Sequence, residues 1–524
     1  MKPTKLAVLT ALGMLLTSVS VYSLTPPGGI AIGAAADGKP LGSAGTTVEE
    51  LTTKLPDQPD ATDQSRFSAG STLMVEGRLG HPQLARGSQG ETFVMLEVRG
   101  GEAQKARAVA PVNLALVIDR SGSMKGTRIR NAIKAATSAV ERLNEGDTVS
   151  VVTFDTQVQV VVPPTTIAPG SRSQVVSQIQ GIGLGGDTCI SCGLEQAMSL
   201  LQQTAGKVDR MILLSDGDAN HGVRDIPGFR SISQRAATRG ASITTIGVDV
   251  GYNEKIMTAL AQESNGRHYF VENDAALARV FEAEAESLTS TLASNTEVTL
   301  DLAPGVELDR VFDRSFRRSG NRVIVPLGAF TKDDVKTVLV KVKVPAQLEG
   351  KVPVAAVDLT YRDLLANNDG HCGGALALRV GGTGPSELDP VVNGRVQRTE
   401  TASALKEANE LFNQGKVTEA RRKLEQQEKT LQTVADAARR AAPAAKAKQI
   451  DDDFSNQIAV LGQANSGFAT PPAATATGFG GPVQGGFAQP PAVQAAPPPP
   501  PAPDSRAGKS AVKANEQRAF DLAF

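Results

Sequence analysis

The sequence predicts an α/β protein. A doubly wound, mostly parallel sheet is inserted between β-sandwich segments, followed by a helical hairpin and a disordered C-terminal tail. Three observations carry this. Continuous apolar runs such as Asn113–Ile118 and Met211–Ser215 alternate with amphipathic helical patterns between residues 111 and 294. Short alternating runs, such as Thr92–Val98 and Thr337–Val344, lie on both sides of that region. Beyond residue 464 the chain is rich in Pro, Gly, Ala and Gln and runs into Pro497–Pro501.

The elements follow in order. Lys2 and Lys5 precede an apolar stretch from Leu6 to about Val21 that ends near Ser23. Residues 1–23 therefore read as a signal peptide; interruption of the run by Thr, Ser and Gly favours cleavage over an uncleaved signal anchor. Residues 24–70 read as a flexible linker, with a short helix near Thr46–Lys54. Residues 71–110 form a β segment. Within 111–294, apolar residues Ile129, Ile133, Ala136, Val140 and Leu143 fall on one helical face. Further strands are expected at Asp147–Phe154, Val208–Ser215, Ser242–Val248 and Arg267–Val271. Helices are expected at Gln174–Ile179, Cys189–Gln203, Gly228–Arg239, Glu254–Glu263 and Ala275–Leu292. Residues 295–382 return to strands and are expected to pair with 71–110. Residues 383–463 are helical, with a hairpin over Thr401–Arg440 broken at Gly415. Residues 464–503 read as a disordered linker. Residues 504–524 read as a tail that frays, against the alternative of a short helix anchored by Phe520 and Phe524.

Composition narrows the function. The formal net charge is -1, which gives no reason to expect nucleic acid or an anionic membrane as partner. A membrane enters only if the N-terminal segment is retained. With no tryptophan and only four tyrosines, a sugar- or base-stacking surface is not expected.

Five oxygen-bearing residues group by motif. Asp119, Ser121 and Ser123 lie in DRSGS directly after the first apolar run. Thr188 ends the glycine-rich stretch Gly185-Gly186-Asp187-Thr188. Asp216 follows the second run. These are hard ligands that suit Mg²⁺, Mn²⁺ or Ca²⁺ rather than zinc. Both aspartates fall at the carboxyl ends of strands, where open α/β sheets bind ligands. Gly122 permits the turn after the first strand.

With these motifs in place, the chain resembles the von Willebrand factor type A family with its metal-ion-dependent adhesion site, of the bacterial exported or membrane-anchored kind. The resemblance implies that Ser121 and Ser123 touch the ion directly. Thr188 would bind directly or through water, and Asp119 and Asp216 would neutralise and orient. It also implies one open coordination position for the carboxylate of a protein partner. The expected function is thus a non-enzymatic adhesion or interaction module in the periplasm, at the cell envelope or secreted. Asp187 and His221 are candidate rim residues. Cys189 and Cys192 are spaced to close a small disulfide that would hold Thr188, or else are two packed thiols.

Two other readings use the same residues. One is a thiol redox protein acting through Cys189 and Cys192, although no thioredoxin-like unit surrounds that motif. The other is a metal-dependent hydrolase, which would need a base that the motif does not supply. Gly181–Gly186 satisfies a dinucleotide-binding pattern but lacks its strand context. The loop starting at Asp216 has His221 and Pro227 where a calcium loop requires glycine and glutamate.

Overall fold

The computed structural model describes residues 64–101, 110–201, 207–216, 219–272, 274–469 and 500–523. The expected signal segment, the 46–54 helix and most of both linkers lie outside these residues.

The chain opens with β1 (Arg66–Gly70), β2 (Leu73–Leu79), β3 (Gln83–Leu84) and β4 (Glu91–Gly100). The β structure thus begins five residues earlier than the expected boundary at 71. Phe67 supplies the reason, since its buried ring fills the space over Gly77 and Gly374.

The inserted unit contains β5 (Val112–Asp119), α1 (Thr127–Arg142), β6 (Thr148–Phe154), β7 (Val158–Thr166), α2 (Pro169–Gln180) and α3 (Ile190–Leu200). It continues with β8 (Val208–Ser215), α4 (Ile226–Thr238), β9 (Ser242–Val248), α5 (Glu254–Glu263), β10 (His268–Val271) and α6 (Asp274–Thr289). The sheet order is β10-β9-β8-β5-β6-β7. All neighbours are parallel except β7, which returns antiparallel along β6. Every residue of β5 is buried because helices cover both faces of the sheet. After β5 the chain moves to β6 on one side and later to β8 on the other. The carboxyl ends of β5 and β8 therefore flank a topological switch point.

The chain then re-enters β structure with β11 (Thr291–Leu302), β12 (Glu307–Phe312), β13 (Arg317–Ser319), β14 (Arg322–Thr331), β15 (Val335–Lys343), β16 (Gly350–Asp363) and β17 (Asn368–Val380). Strands from before and after the insertion share sheets. One has the order β1-β2-β4-β15-β12 and the other β13-β14-β11-β16-β17-β3. β4 pairs with β15 along nine residues, from Glu91 opposite Lys343 to Arg99 opposite Val335. The two sheets enclose one apolar core that includes Val94, Leu96, Val298, Val340 and Leu376.

Helices α7 (Pro390–Asn413), α8 (Val417–Ala441), α9 (Ala447–Gly467) and α10 (Arg506–Ala523) close the fold. Gly415, at φ 79°, makes the turn between the first two. The expected hairpin is incomplete in two respects. A third helix, α9, adds Phe454 and Leu461 to a core with Leu405, Phe412 and Leu424. The expected frayed tail is instead α10, whose Val512, Ala519 and Leu522 join that core. A lone hairpin leaves its apolar face uncovered, and these two helices cover it. α10 also touches the inserted unit: Gln517 receives a bond from the Phe270 amide at 3.0 Å and donates to the His268 carbonyl at 2.7 Å. Among the described residues, no helix is long and apolar enough to cross a membrane.

Candidate metal centre

The DRSGS turn begins where β5 ends. Asp119 Oδ1 accepts the Ser121 amide at 2.8 Å, which folds the chain back on itself. Asp119 Oδ2 accepts the Ser215 hydroxyl at 2.6 Å, from the adjacent end of β8. Ser121 Oγ and Ser123 Oγ stand 3.0 Å apart, and the Ser123 hydroxyl donates to Asp216 Oδ1 at 2.8 Å. Four of the five expected residues are thus joined in one hydrogen-bonded cluster across two strand ends.

Thr188 reaches the same edge through its loop. Gly185 donates to the Arg120 carbonyl at 2.7 Å, and Gly122 donates to the Gly186 carbonyl at 2.9 Å. These bonds lace the glycine loop to the DRSGS turn. A Cβ on Gly185 would stand 1.5 Å from Asp155 Oδ2, so only glycine allows this approach. The Thr188 amide donates to Asn220 Oδ1 at 2.7 Å, and its carbonyl accepts from the amides of Asn220 and His221.

The electrostatics suit a cation. Asp119 is fully buried, and burial pushes its carboxyl up to about 6 despite the bonds from Ser121 and Ser215; repulsion from Asp216 adds to the rise. Two buried carboxylates beside clustered hydroxyls form a donor set that a hard dication would relieve of charge. The residues present therefore fit the ion.

Asp187 and His221 sit outside this cluster. His221 Nε2 lies 3.1 Å from Asp187 Oδ2, and both side chains are about half exposed. Cys189 and Cys192 form a disulfide at the start of α3, immediately after Thr188. Cys372 is a free thiol on β17, which burial pushes up to about 11.

Sequence reasoning overlooked Ser215, Arg128, Asp249 and Asn220. Arg128 Nη1 donates to Asp216 Oδ2 at 2.6 Å and to the Ser123 carbonyl at 2.8 Å, while Nη2 bonds Asp249. Burial would raise the Asp249 carboxyl, but the Val250 amide and Arg128 outweigh it and hold it below its usual range. A signal for Asp249 was present. β5, β6, β8 and β9 are each followed or ended by an aspartate: Asp119, Asp155, Asp216 and Asp249.

Known proteins share the fold of the inserted unit. The family description von Willebrand factor type A domain matches residues 113–283. The protein sll0103 of Synechocystis is 26% identical over 266 residues, covering 48% of this chain and 62% of its own length. YfbK of Escherichia coli is 24% identical over 262 residues, covering 49% of this chain and 45% of its own. The chain thus spans less than two thirds of the curated relatives it matches. A solved von Willebrand factor type A protein from Catenulispora acidiphila shares the fold, with a TM-score of 0.60 at 16% identity, covering 79% of this chain and 92% of that one. Residues 113–283 of this chain are a von Willebrand factor type A domain.

Proposed function

We propose that the chain is an exported interaction module of the bacterial envelope that binds a protein partner through a divalent cation. Asp119, Ser121, Ser123, Thr188 and Asp216 would hold Mg²⁺, with Mn²⁺ or Ca²⁺ as substitutes. The observation that carries this reading is the cluster of DRSGS and Asp216 at the switch point between β5 and β8. When bound, the dication would supply an open coordination position to an acidic group of the partner. The chain's own residues have simpler tasks. Ser215 and the Ser121 amide orient the Asp119 carboxylate, and Ser123 orients Asp216. The laced glycine loop presents Thr188.

With few protein carboxylates to neutralise it, the ion would keep the electrophilic character that a partner carboxylate answers. Nothing in this arrangement requires a bond to be broken, which favours binding over catalysis. Envelope location rests on the Lys2/Lys5 and apolar-core pattern. Calorimetry with Mg²⁺ and Mn²⁺ on the full chain and on Asp119→Ala tests the site. The variant is expected to lose dication binding while its circular dichroism is retained; unchanged affinity overturns the assignment.

A further inference from the structure

At the opposite end of β8 from Asp216 lies a second polar site. Arg210 is 6% exposed, yet its Nε has no hydrogen-bond partner. It lines a cavity of about 270 Å³ between the inserted domain, the sandwich and α10. Burying an N–H donor without an acceptor is costly, so Arg210 Nε marks a position where a partner belongs.

The neighbouring carboxylates are already engaged. Asp334 takes Arg267 Nη2 at 2.9 Å and the Thr331 amide at 2.8 Å. Glu284 takes the hydroxyls of Thr244 at 3.0 Å and Tyr269 at 2.7 Å, with Arg267 Nη1 at 3.7 Å. Lys336 gives its ammonium to the carbonyls of Leu327 and Ala329 at 2.8 and 2.7 Å. Three basic groups, Arg210, Arg267 and Lys336, thus line the cavity with the carboxylates of Asp334 and Asp521, and burial lowers the Lys336 ammonium to about 7. Asp521 of α10 lines the same cavity, where burial raises its carboxyl to about 6 and Arg518 stands beside it. His268 is held by Thr245 and Tyr252 and adds no charge.

We propose that this cavity binds a small organic monocarboxylate, whose two oxygens meet the planar fork of Arg210. The unmet Arg210 Nε–H calls for an acceptor, and a carboxylate matches the geometry of a guanidinium. Phe520, Ala329 and Val335 on the same walls suit a short hydrocarbon body. The volume holds roughly nine waters' worth of ligand, which limits the guest to a small acid. The site is independent of the dication reading, since it lies at the other end of the sheet and shares no residue with it.

The experiment titrates propionate into the full chain at constant ionic strength, with chloride and inorganic phosphate as comparison anions. Binding is followed by calorimetry and by the rise in melting temperature. Saturable binding of propionate, tighter than that of either comparison anion, is expected. Arg210→Met should weaken it by about tenfold or more. Val335→Trp gives a second test that leaves Arg210 in place. Val335 is half exposed, so the variant should fold while its indole fills the cavity mouth, and it should also lose propionate binding. No saturable propionate binding, or equal effects of all three anions, overturns the proposal. So does full affinity in either variant.

Discussion

Arg128 Nη1 lies 2.6 Å from Asp216 Oδ2, so a fixed cation already rests on one carboxylate of the proposed metal centre. The same guanidinium bonds Asp249, which also takes Arg506 of α10 at 3.0 Å. Asp216 therefore faces Ser123 with one oxygen and a positive charge with the other.

That charge opposes a dication. Replacing Arg128 with Met removes the repulsion and frees Asp216 Oδ2. Arg128 is one-third exposed, so screening leaves an effect of about 1 kcal/mol, several-fold in affinity. Calorimetry should show tighter Mg²⁺ binding in Arg128→Met. Weaker binding would mean that Arg128 serves mainly to aim Asp216.

The parts of this site that lie along one strand and its turn were legible. Asp119, Ser121 and Ser123 are neighbours in sequence, and Asp216 announces itself by ending a buried apolar run. Arg128 was not legible because its position on α1 says only that it is outward of the core face. Its role comes from β8 and β9 lying side by side, which brings Asp216 and Asp249 to one guanidinium. Arg210 was hidden for a similar reason: inside an apolar run it reads as an interruption, and only the packing of the sandwich and α10 shows what surrounds it. The misjudged C-terminus has the same cause. Val512, Phe520 and Leu522 were visible as apolar residues, but the groove that receives them is built by helices about a hundred residues earlier and by β10.

The disulfide between Cys189 and Cys192 bears on Thr188. The loop after β8 packs directly over it: a Cβ on Gly222 would come 2.7 Å from Cys189 Sγ and 2.3 Å from Ser191 Oγ. That loop carries Asn220 and His221, which bond the Thr188 backbone. Cys189→Ser with Cys192→Ser should lower stability by about 2 kcal/mol, the value for so short a closed loop. It should also weaken Mg²⁺ binding several-fold, because Thr188 loses its anchor on one side. Alkylation without reductant should modify Cys372 after unfolding and spare the pair. Labelling of both Cys189 and Cys192 would show that the bridge does not form in the protein. An unchanged Mg²⁺ affinity in the double variant would confine the bridge to a structural role.

His268 should give the protein a measurable acid limb. Its ring is buried, with Nδ1 2.9 Å from the Thr245 hydroxyl and Nε2 3.1 Å from the Tyr252 hydroxyl. Phe520 of α10 meets it edge-on with ring centres 5.9 Å apart. Burial, followed by the charge of Lys513, pushes its pKa down to about 3 from 6.5. Below pH 6.5 the unfolded chain binds a proton that the folded chain refuses. The stability from this group is therefore complete above pH 6.5 and falls as the pH drops towards 3, by about 1.4 kcal/mol per unit. Asp521 works in the opposite direction. Burial raises its folded pKa to about 6, so acid adds stability as the pH falls from 6 towards its unfolded value. A comparison with His268→Asn isolates the histidine, because Asp521 is common to both proteins. Urea unfolding at pH 7.5, 6.5, 5.5 and 4.5 should show the variant less stable at pH 7.5, where it has lost two hydrogen bonds and a ring contact. The gap should close by about 1.4 kcal/mol for each unit below 6.5. A gap that stays constant to pH 4.5 would show that His268 takes up its proton in the folded state. Lys513 and Phe520 both belong to α10, so amide exchange in that helix should speed up at pH 4.5 before exchange in β8 does.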